Sequence, residues 1–297
     1  DVTLTTVNID KKLGDHDFKW TTDVNLSLVR NEVLKLQSEA TKLEGDRYFK
    51  STTRTYCISE VGHAPSLFYG YKTDGVIQNT AQLNSLTRFD GTAVGDINYV
   101  DVNSDGVINE KDQTFIGDPN PDFTYGMNNT LSWGPWSFNI FLAGSYGNDV
   151  YNLLRSKLEG MDADGLNMLS TVLDYAKVVD DGNGGKMVEN SNTNMPRPNT
   201  TANGKEDANT VSDRYIEDGS FLRIQNVGLS YTLPKRYTDK MKMSNFRVSF
   251  NVQNVATFTK YSGLNPEVAN SNAICQGVDA GSYPLPRQFV VGLNFDF

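Results

Sequence analysis

The sequence predicts an all-β chain: a segment of an antiparallel transmembrane β-barrel with long external loops. Three observations predict it. Apolar and polar residues alternate with period two in stretches of about 9–11 residues, the length that crosses a bilayer at a tilt. Short and very long connections alternate along the chain, as the inner turns and outer loops of such barrels do. Large aromatics (Trp133, Trp136, Phe295 and Phe297) stand at strand ends, where the two membrane interfaces favour amphipathic rings.

The first residues, Val2 to Ile9, form a weak strand. A clearer one places Phe18, Trp20, Val24, Leu26 and Leu28 against Lys19, Thr21, Asp23, Asn25 and Ser27. Phe123, Tyr125, Met127 and Leu131 then alternate with Thr124, Gly126, Asn128 and Thr130, and Trp136, Phe138, Ile140 and Leu142 with Ser137 and Asn139. From Leu222 to Leu233 the phase slips, with Leu222 and Ile224 out of step with Val227, Leu229 and Tyr231; a β-bulge near Asn226 accounts for it. Phe246, Val248, Phe250 and Val252 alternate with Arg247, Ser249, Asn251 and Gln253. In the last strand Phe289, Val291, Leu293, Phe295 and Phe297 form the face expected to meet lipid, with Phe297 an assembly signal.

Between these strands DKKLGDHD, Gly134–Pro135 and PKRYTDKMKMSN are short, whereas 29–121, 144–221 and 256–287 are long. If Phe297 ends at the periplasmic side, every short connection is periplasmic and every long one external. The count assumes that no complete transmembrane hairpin lies in 29–121, where FYGYK (68–72) has strand character. Residues 148–161 place Val150, Leu153, Leu154 and Leu158 on one helical face, and NMLSTVLDYAK reads as a second helix. The polar stretch rich in Gly, Asn and Pro from Asp180 onward reads as a surface excursion.

Composition narrows the function. The 297 residues carry a formal net charge of −9, which disfavours nucleic acid as a partner, since phosphate binding needs a basic surface. No run of about 18 apolar residues marks a transmembrane helix. The opening DVTLTTVNID reads as a strand rather than a leader, so the start is expected to have been processed away or the chain to be a piece of something longer. Cys57 and Cys275 are either one disulfide of an oxidising compartment or two unrelated thiols.

One stretch carries metal chemistry. DVNSDGVINEKD, residues 101–112, spaces Asp101, Asn103, Asp105, the Val107 carbonyl and Asp112 as a calcium loop spaces its hard oxygen donors. Gly106 permits the sharp turn, and Ile108 is an apolar plug. Asp rather than Glu at the twelfth position has shorter reach for bidentate coordination. The competing reading is an acidic turn that binds nothing. His16 and His63 are the only histidines, too few for a His-rich zinc site. No nucleophile elbow, P-loop or dinucleotide fingerprint occurs, and no catalytic residue is assigned.

Taken together, GDINYVDVNSDGVINEKDQTFIGDPNPDFTYGMNNTLSWGPWSFNIFLAGSYGNDVYN (95–152), VGHAPSLFYGYKTDGVIQ (61–78), FLRIQNVGLSYTLP (221–234) and YPLPRQFVVGLNFDF (283–297) resemble the C-terminal region of the SusC/RagA family of TonB-dependent outer-membrane transporters. The resemblance runs along nearly the whole chain, in order. It implies that residues 1–297 are the C-terminal portion of a plugged barrel of about 22 strands, with the plug outside this chain. It also implies a set of partners: the rest of the barrel, outer-membrane lipid, a SusD-like surface lipoprotein, TonB through an N-terminal part, and an oligosaccharide or peptide cargo. Calcium, if bound, is then a structural staple in an external loop. The alternatives are a calcium-stabilised extracellular β-sandwich, serving as an adhesin or glycan-binding module, and a barrel enzyme.

Overall fold

The computed structural model describes residues 1–37, 40–49, 52–161, 167–198, 210–268 and 274–297. Seven strands form one antiparallel sheet: β1 (Val2–Leu13), β2 (His16–Ser27), β3 (Phe123–Trp133), β4 (Trp136–Tyr146), β5 (Phe221–Thr232), β6 (Asn245–Thr259) and β7 (Gln288–Asp296). Each pairs with the next along the chain, an up-and-down meander. Two-residue turns close β1–β2 at Gly14 and Asp15, and β3–β4 at Gly134 and Pro135. Gly14 (φ 63°) and Gly134 (φ 53°) supply the positive φ that such tight hairpins require. The third short connection holds a turn of helix at Lys235–Thr238.

The register carries the apolar face unbroken across the wall. Phe18 lies opposite Trp133, Trp133 opposite Trp136, Trp136 opposite Tyr231, Tyr231 opposite Val248, and Val248 opposite Leu293. All three short connections and Phe297 therefore lie at one end of the sheet, and the three long connections at the other. No strand from 28–122 joins this sheet among the described residues; β2 pairs directly with β3. The phase slip in β5 is a bulge at Gln225, beside Asn226: the pairing passes from Ile224 to Asn226 against both neighbours.

The alternation skips Thr22 in β2 and Asn129 in β3, and these two polar residues are cross-strand partners on the apolar face. They satisfy each other: the Thr22 hydroxyl donates to Asn129 Oδ1 at 2.7 Å, Trp20 Nε1 donates to the same oxygen at 3.1 Å, and Asn8 Nδ2 donates to Thr22 Oγ1 at 2.6 Å. Paired polar groups do not carry the desolvation penalty of orphaned ones.

Among the described residues nothing packs on the apolar face, where Leu229 and Phe250 in the interior of the sheet are 44% and 45% exposed. Phe289, Val291 and Leu293 are 66%, 68% and 61% exposed, and the three hydrophobic clusters among the described residues contain no residue of the seven strands. A β-sandwich buries that face against a second sheet, so the sandwich reading is set aside.

The cores lie instead in the long connections, which are not structureless. Lys42–Phe49, Thr52–Glu60, Leu67–Gly70 and Thr114–Gly117 form a four-stranded sheet, with FYGYK at its centre rather than in the wall. Asp149–Asn152 pairs with Ile216–Asp218 and with Val278–Asp279, joining the second and third connections. The helix expected over 148–161 is shorter: Asp149–Asn152 is extended, and only Leu153–Leu158 is helical. Val150 and Leu153 are both buried, but cross-connection pairing takes the first four residues out of the helix. Within NMLSTVLDYAK only Ser170–Asp174 coils, as a 3₁₀ turn. The excursion after Asp180 includes a hairpin, Val178–Asp180 with Lys186–Val188; its part at 199–209 lies outside the described residues. One cluster gathers Tyr56, Cys57 and Phe68 from the first connection, Tyr151, Leu153, Val211 and Tyr215 from the second, and Cys275 and Val278 from the third. The three connections thus fold into a single cap with its own core.

Candidate functional site: the cavity beneath the cap

Where the cap meets the wall, a cavity of about 700 Å³ opens on the polar face of the sheet. Asn25, Ser27, Thr124, Ser145 and Arg223 line it from the wall, and Glu267 lines it from the third connection. Asn25, Thr124 and Ser145 are on the face that the alternation assigns away from the apolar surface. Arg223 is buried, and it fastens the third connection to the wall. Its Nη1 donates to Glu267 Oε2 at 2.6 Å, its Nη2 to Asn265 Oδ1 at 3.0 Å and its Nε to Thr257 Oγ1 at 3.0 Å. Val2, Leu26, Pro119, Phe141 and Phe221 also line it, so the cavity combines apolar surface with hydrogen-bonding groups and one ion pair.

A second set of contacts locks the cap together. Arg155 reaches Glu159 at 3.1 Å and Glu217 at 2.9 Å. Glu217 also accepts from the Ser262 backbone N–H at 2.8 Å and its hydroxyl at 2.9 Å, and from Asn152 Nδ2 at 3.1 Å. Burial pushes the Glu217 carboxyl up, but Ser262 and the Arg155 guanidinium outweigh it and hold the group below its ordinary range. Asp149 shows the opposite balance: burial raises it, although its Oδ2 accepts from the Asp118 N–H at 2.9 Å. The turn-rich IGDPNPD is held from several sides. Asn120 Nδ2 donates to the Pro65 carbonyl at 2.9 Å, and Arg30 pairs with Asp122 at 2.8 Å.

The loop Asp101–Asp112 is held by backbone N–H bonds to its own Asp and Asn side chains. Gly106 N–H donates to Asp101 Oδ2 at 2.9 Å, Asp105 N–H to Asn103 Oδ1 at 2.8 Å, and Val107 N–H to Asp105 Oδ1 at 3.0 Å. Asp112 is fully buried; it accepts from Val102 N–H at 3.1 Å and Asn109 N–H at 2.8 Å. Asp101 Oδ1 is buried and without a hydrogen-bond partner. Ile108 is buried in a cluster with Tyr71, Phe89, Ile97 and Tyr99, which ties the loop to the cap. Among the described residues no group of three or more His, Cys, Asp and Glu gathers as a metal centre, so the carboxylates of Asp101, Asp105 and Asp112 are not brought together around one point.

The aromatics of the long connections divide. Tyr151 is fully buried in the cap core, and Tyr261 is buried with its hydroxyl donating to Asp279 Oδ2 at 2.7 Å. Burial, then that carboxylate, pushes the Tyr261 phenol well up. Both are packing residues. Tyr146 and Tyr175 remain exposed, and Tyr146 stacks on Phe123 at 5.1 Å. Phe289, Val291, Leu293 and Phe295 share one exposed face of β7, and Phe297 follows it. Sequence reasoning missed Arg223–Glu267 and Arg155–Glu217, whose partners lie 44 and 62 residues apart. No local spacing signals such pairs.

A one-sheet wall with a bare apolar face, a polar inner face and a folded external cap defines a section of an outer-membrane β-barrel. The chain is 31% identical to the TonB-dependent receptor P3 of Formosa agariphila over 97% of its length, and covers 28% of that relative. It is 26% identical to the TonB-dependent receptor SusC of Bacteroides thetaiotaomicron over 97% of its length, covering 25% of it. Among solved structures it matches the RagAB peptide transporter, with a TM-score of 0.70 and 21% identity, over 99% of this chain and 28% of that one. The same importer in its closed-closed state gives a TM-score of 0.69. No protein-family model matches the chain. The chain is a relative of the TonB-dependent receptors of the SusC/RagA kind, outer-membrane barrel proteins that are not enzymes, and it spans little more than a quarter of the length of the relatives it matches.

Proposed function

We propose that this chain forms part of the wall and external mouth of a TonB-dependent nutrient importer, and that residues 1–297 are the C-terminal portion of its barrel. The cargo class is an oligosaccharide or a peptide, taken up with a SusD-like lipoprotein over the cap and driven by TonB through an N-terminal part of the same polypeptide. One observation carries the reading: the three long connections fold into a single cap above a cavity on the polar face of the sheet, at the end of the wall opposite the short turns. Long ordered loops on a rigid scaffold usually carry function. The apolar face, with Phe289, Val291, Leu293 and Phe295, then meets lipid, and Phe297 aids assembly. The test is deletion of 178–210 and, separately, of 266–282 in the full-length receptor. Each deletion should weaken lipoprotein association and growth on the cognate nutrient. Both retained in both deletions would refute the role of the cap.

A structural calcium ion is the second reading, favoured by the orphaned Asp101 Oδ1. Asp101, Asn103, Asp105, the Val107 carbonyl and Asp112 would hold it. The cation would neutralise an acidic loop that the cap already positions through Ile108. Chelation with a calcium-selective chelator should lower the melting temperature of the cap in the full-length receptor, and calcium rather than magnesium should restore it. Unchanged melting after chelation would remove calcium from the account.

A further inference from the structure

The chain has two cysteines, 218 residues apart in sequence, and the fold brings their sulfurs to 2.7 Å from one another. Cys57 is on the strand Thr52–Glu60 of the first connection, and Cys275 is on the third connection, just before Val278–Asp279. Both are fully buried in the core that unites the cap, beside Tyr56, Phe68 and Val278. The approach is shaped by the strand partner of Cys57, which is Gly45. A Cβ there would lie 2.9 Å from Cys275 Cβ and 2.5 Å from the Ile274 carbonyl oxygen. Absence of a side chain at Gly45 thus lets the segment carrying Cys275 lie directly against the strand pair. A separation of 2.7 Å is far closer to the ~2.05 Å of a disulfide bond than apolar packing alone requires.

We infer that Cys57 and Cys275 form a disulfide that staples the first external connection to the third. The inference goes beyond the transport reading and requires only that the cap matures outside the cytoplasm, where disulfides persist. The oxidant is a protein disulfide of the thiol–disulfide carrier class. One cysteine thiolate attacks a carrier sulfur, forming a mixed disulfide and releasing the carrier's other sulfur as a thiolate. The second cysteine thiolate then attacks the mixed disulfide at the first cysteine's sulfur. The Sγ–Sγ bond forms, and the carrier leaves as a dithiol with the two electrons and two protons of the pair. Because both sulfurs are buried, this exchange precedes closure of the cap core.

The bond would have a mechanical effect. The third connection supplies Glu267, which pairs with Arg223 at the cavity, and Asp279, which holds Tyr261. A covalent tie at Cys275 fixes the segment that carries Asp279 to the four-stranded sheet of the first connection.

The experiment uses the full-length receptor in its native membrane. Cells are quenched in acid, and the protein is denatured and alkylated with iodoacetamide without reductant, then digested and analysed by mass spectrometry. The expected result is a linked peptide containing Cys57 and Cys275, with neither residue alkylated until dithiothreitol is added. Full alkylation of both without reduction would overturn the inference, as would a linkage of either to a third cysteine or to a small thiol. In the variant C275S, Cys57 should become alkylated without reduction, and cap cleavage by an added protease should quicken several-fold while the barrel keeps its heat-resistant mobility. If C275S fails to reach the membrane, the native-protein peptide map alone decides.

Discussion

The wall and the cap bury their apolar residues against different solvents. In the wall, Tyr231, Val248 and Leu293 stand in register on one face that no described residue covers with a hydrophobic cluster; in the cap, Phe68 and Tyr151 are fully enclosed by residues from all three long connections. The wall satisfies its backbone by continuous ladders and leaves its apolar side chains uncovered among the described residues. The cap uses short strands and side-chain locks, and excludes water by itself. The difference teaches that two stabilities share one chain, so changes in one should leave the other largely intact.

The largest effect is expected in the cap core. Phe68→Ala removes a fully buried ring and should cost about 3–5 kcal/mol. That exceeds what local contacts are expected to hold in a unit this small, so the cap should open. Protease cleavage within 52–118 should accelerate strongly, while the heat-resistant mobility of the full-length barrel stays as in the parent. Joint loss of both would show that wall and cap form one cooperative unit and would dissolve the comparison.

The reciprocal change is Leu293→Arg. A lipid-facing Arg costs roughly 2–4 kcal/mol at the bilayer midplane and about 0–1 kcal/mol near an interface, and Leu293, two residues before Phe295, falls between the two. Barrel yield and heat resistance should fall, whereas any receptor that does assemble should show a cap as protease-resistant as the parent's. Unchanged yield and heat resistance would mean that this face meets protein rather than lipid.

These two regions also differ in how far the sequence discloses them. The wall was legible because its physics is periodic: Phe246, Val248, Phe250 and Val252 need only a pleat to share a face, and the slip between Ile224 and Val227 marked its bulge. The two polar interruptions, Thr22 and Asn129, carried no signal of their own in the sequence; the register makes them partners. The cap was not legible because its contacts are non-local. The pattern at 148–161 has helical spacing, yet Val150 and Tyr151 pair with Glu217 and Ile216 as a strand, a tertiary preference that overrides local propensity. Tyr151 and Tyr261, aromatics of the long connections, are enclosed once those connections fold together. The loop at 101–112 was legible as a motif because its donors lie within twelve residues, whereas the cluster that anchors Ile108 was not.

The smallest effect, and the finest probe of the cap, is Glu217→Gln. The carboxylate joins Arg155 of the second connection to Ser262 of the third. Glutamine keeps the shape and one acceptor but removes the charge, so about 1–3 kcal/mol of cap stability should be lost at neutral pH. The pH dependence follows from the direction of the shift. The carboxyl lies below its ordinary value of 4.5 in the folded cap, so the unfolded cap binds its proton first as pH falls. The stabilisation is therefore fully present above about 4.5 and is lost as the pH drops through the lowered folded value. Hydrogen exchange at residues 149–152 and 216–218, followed from neutral pH downward, should show the parent cap loosening in that acid window. The Glu217→Gln cap should begin looser and change less, because it has no proton to gain there. Equal acid loosening in the two proteins would assign the effect to another carboxylate and leave Glu217 as a neutral hydrogen-bonding contact between the two connections.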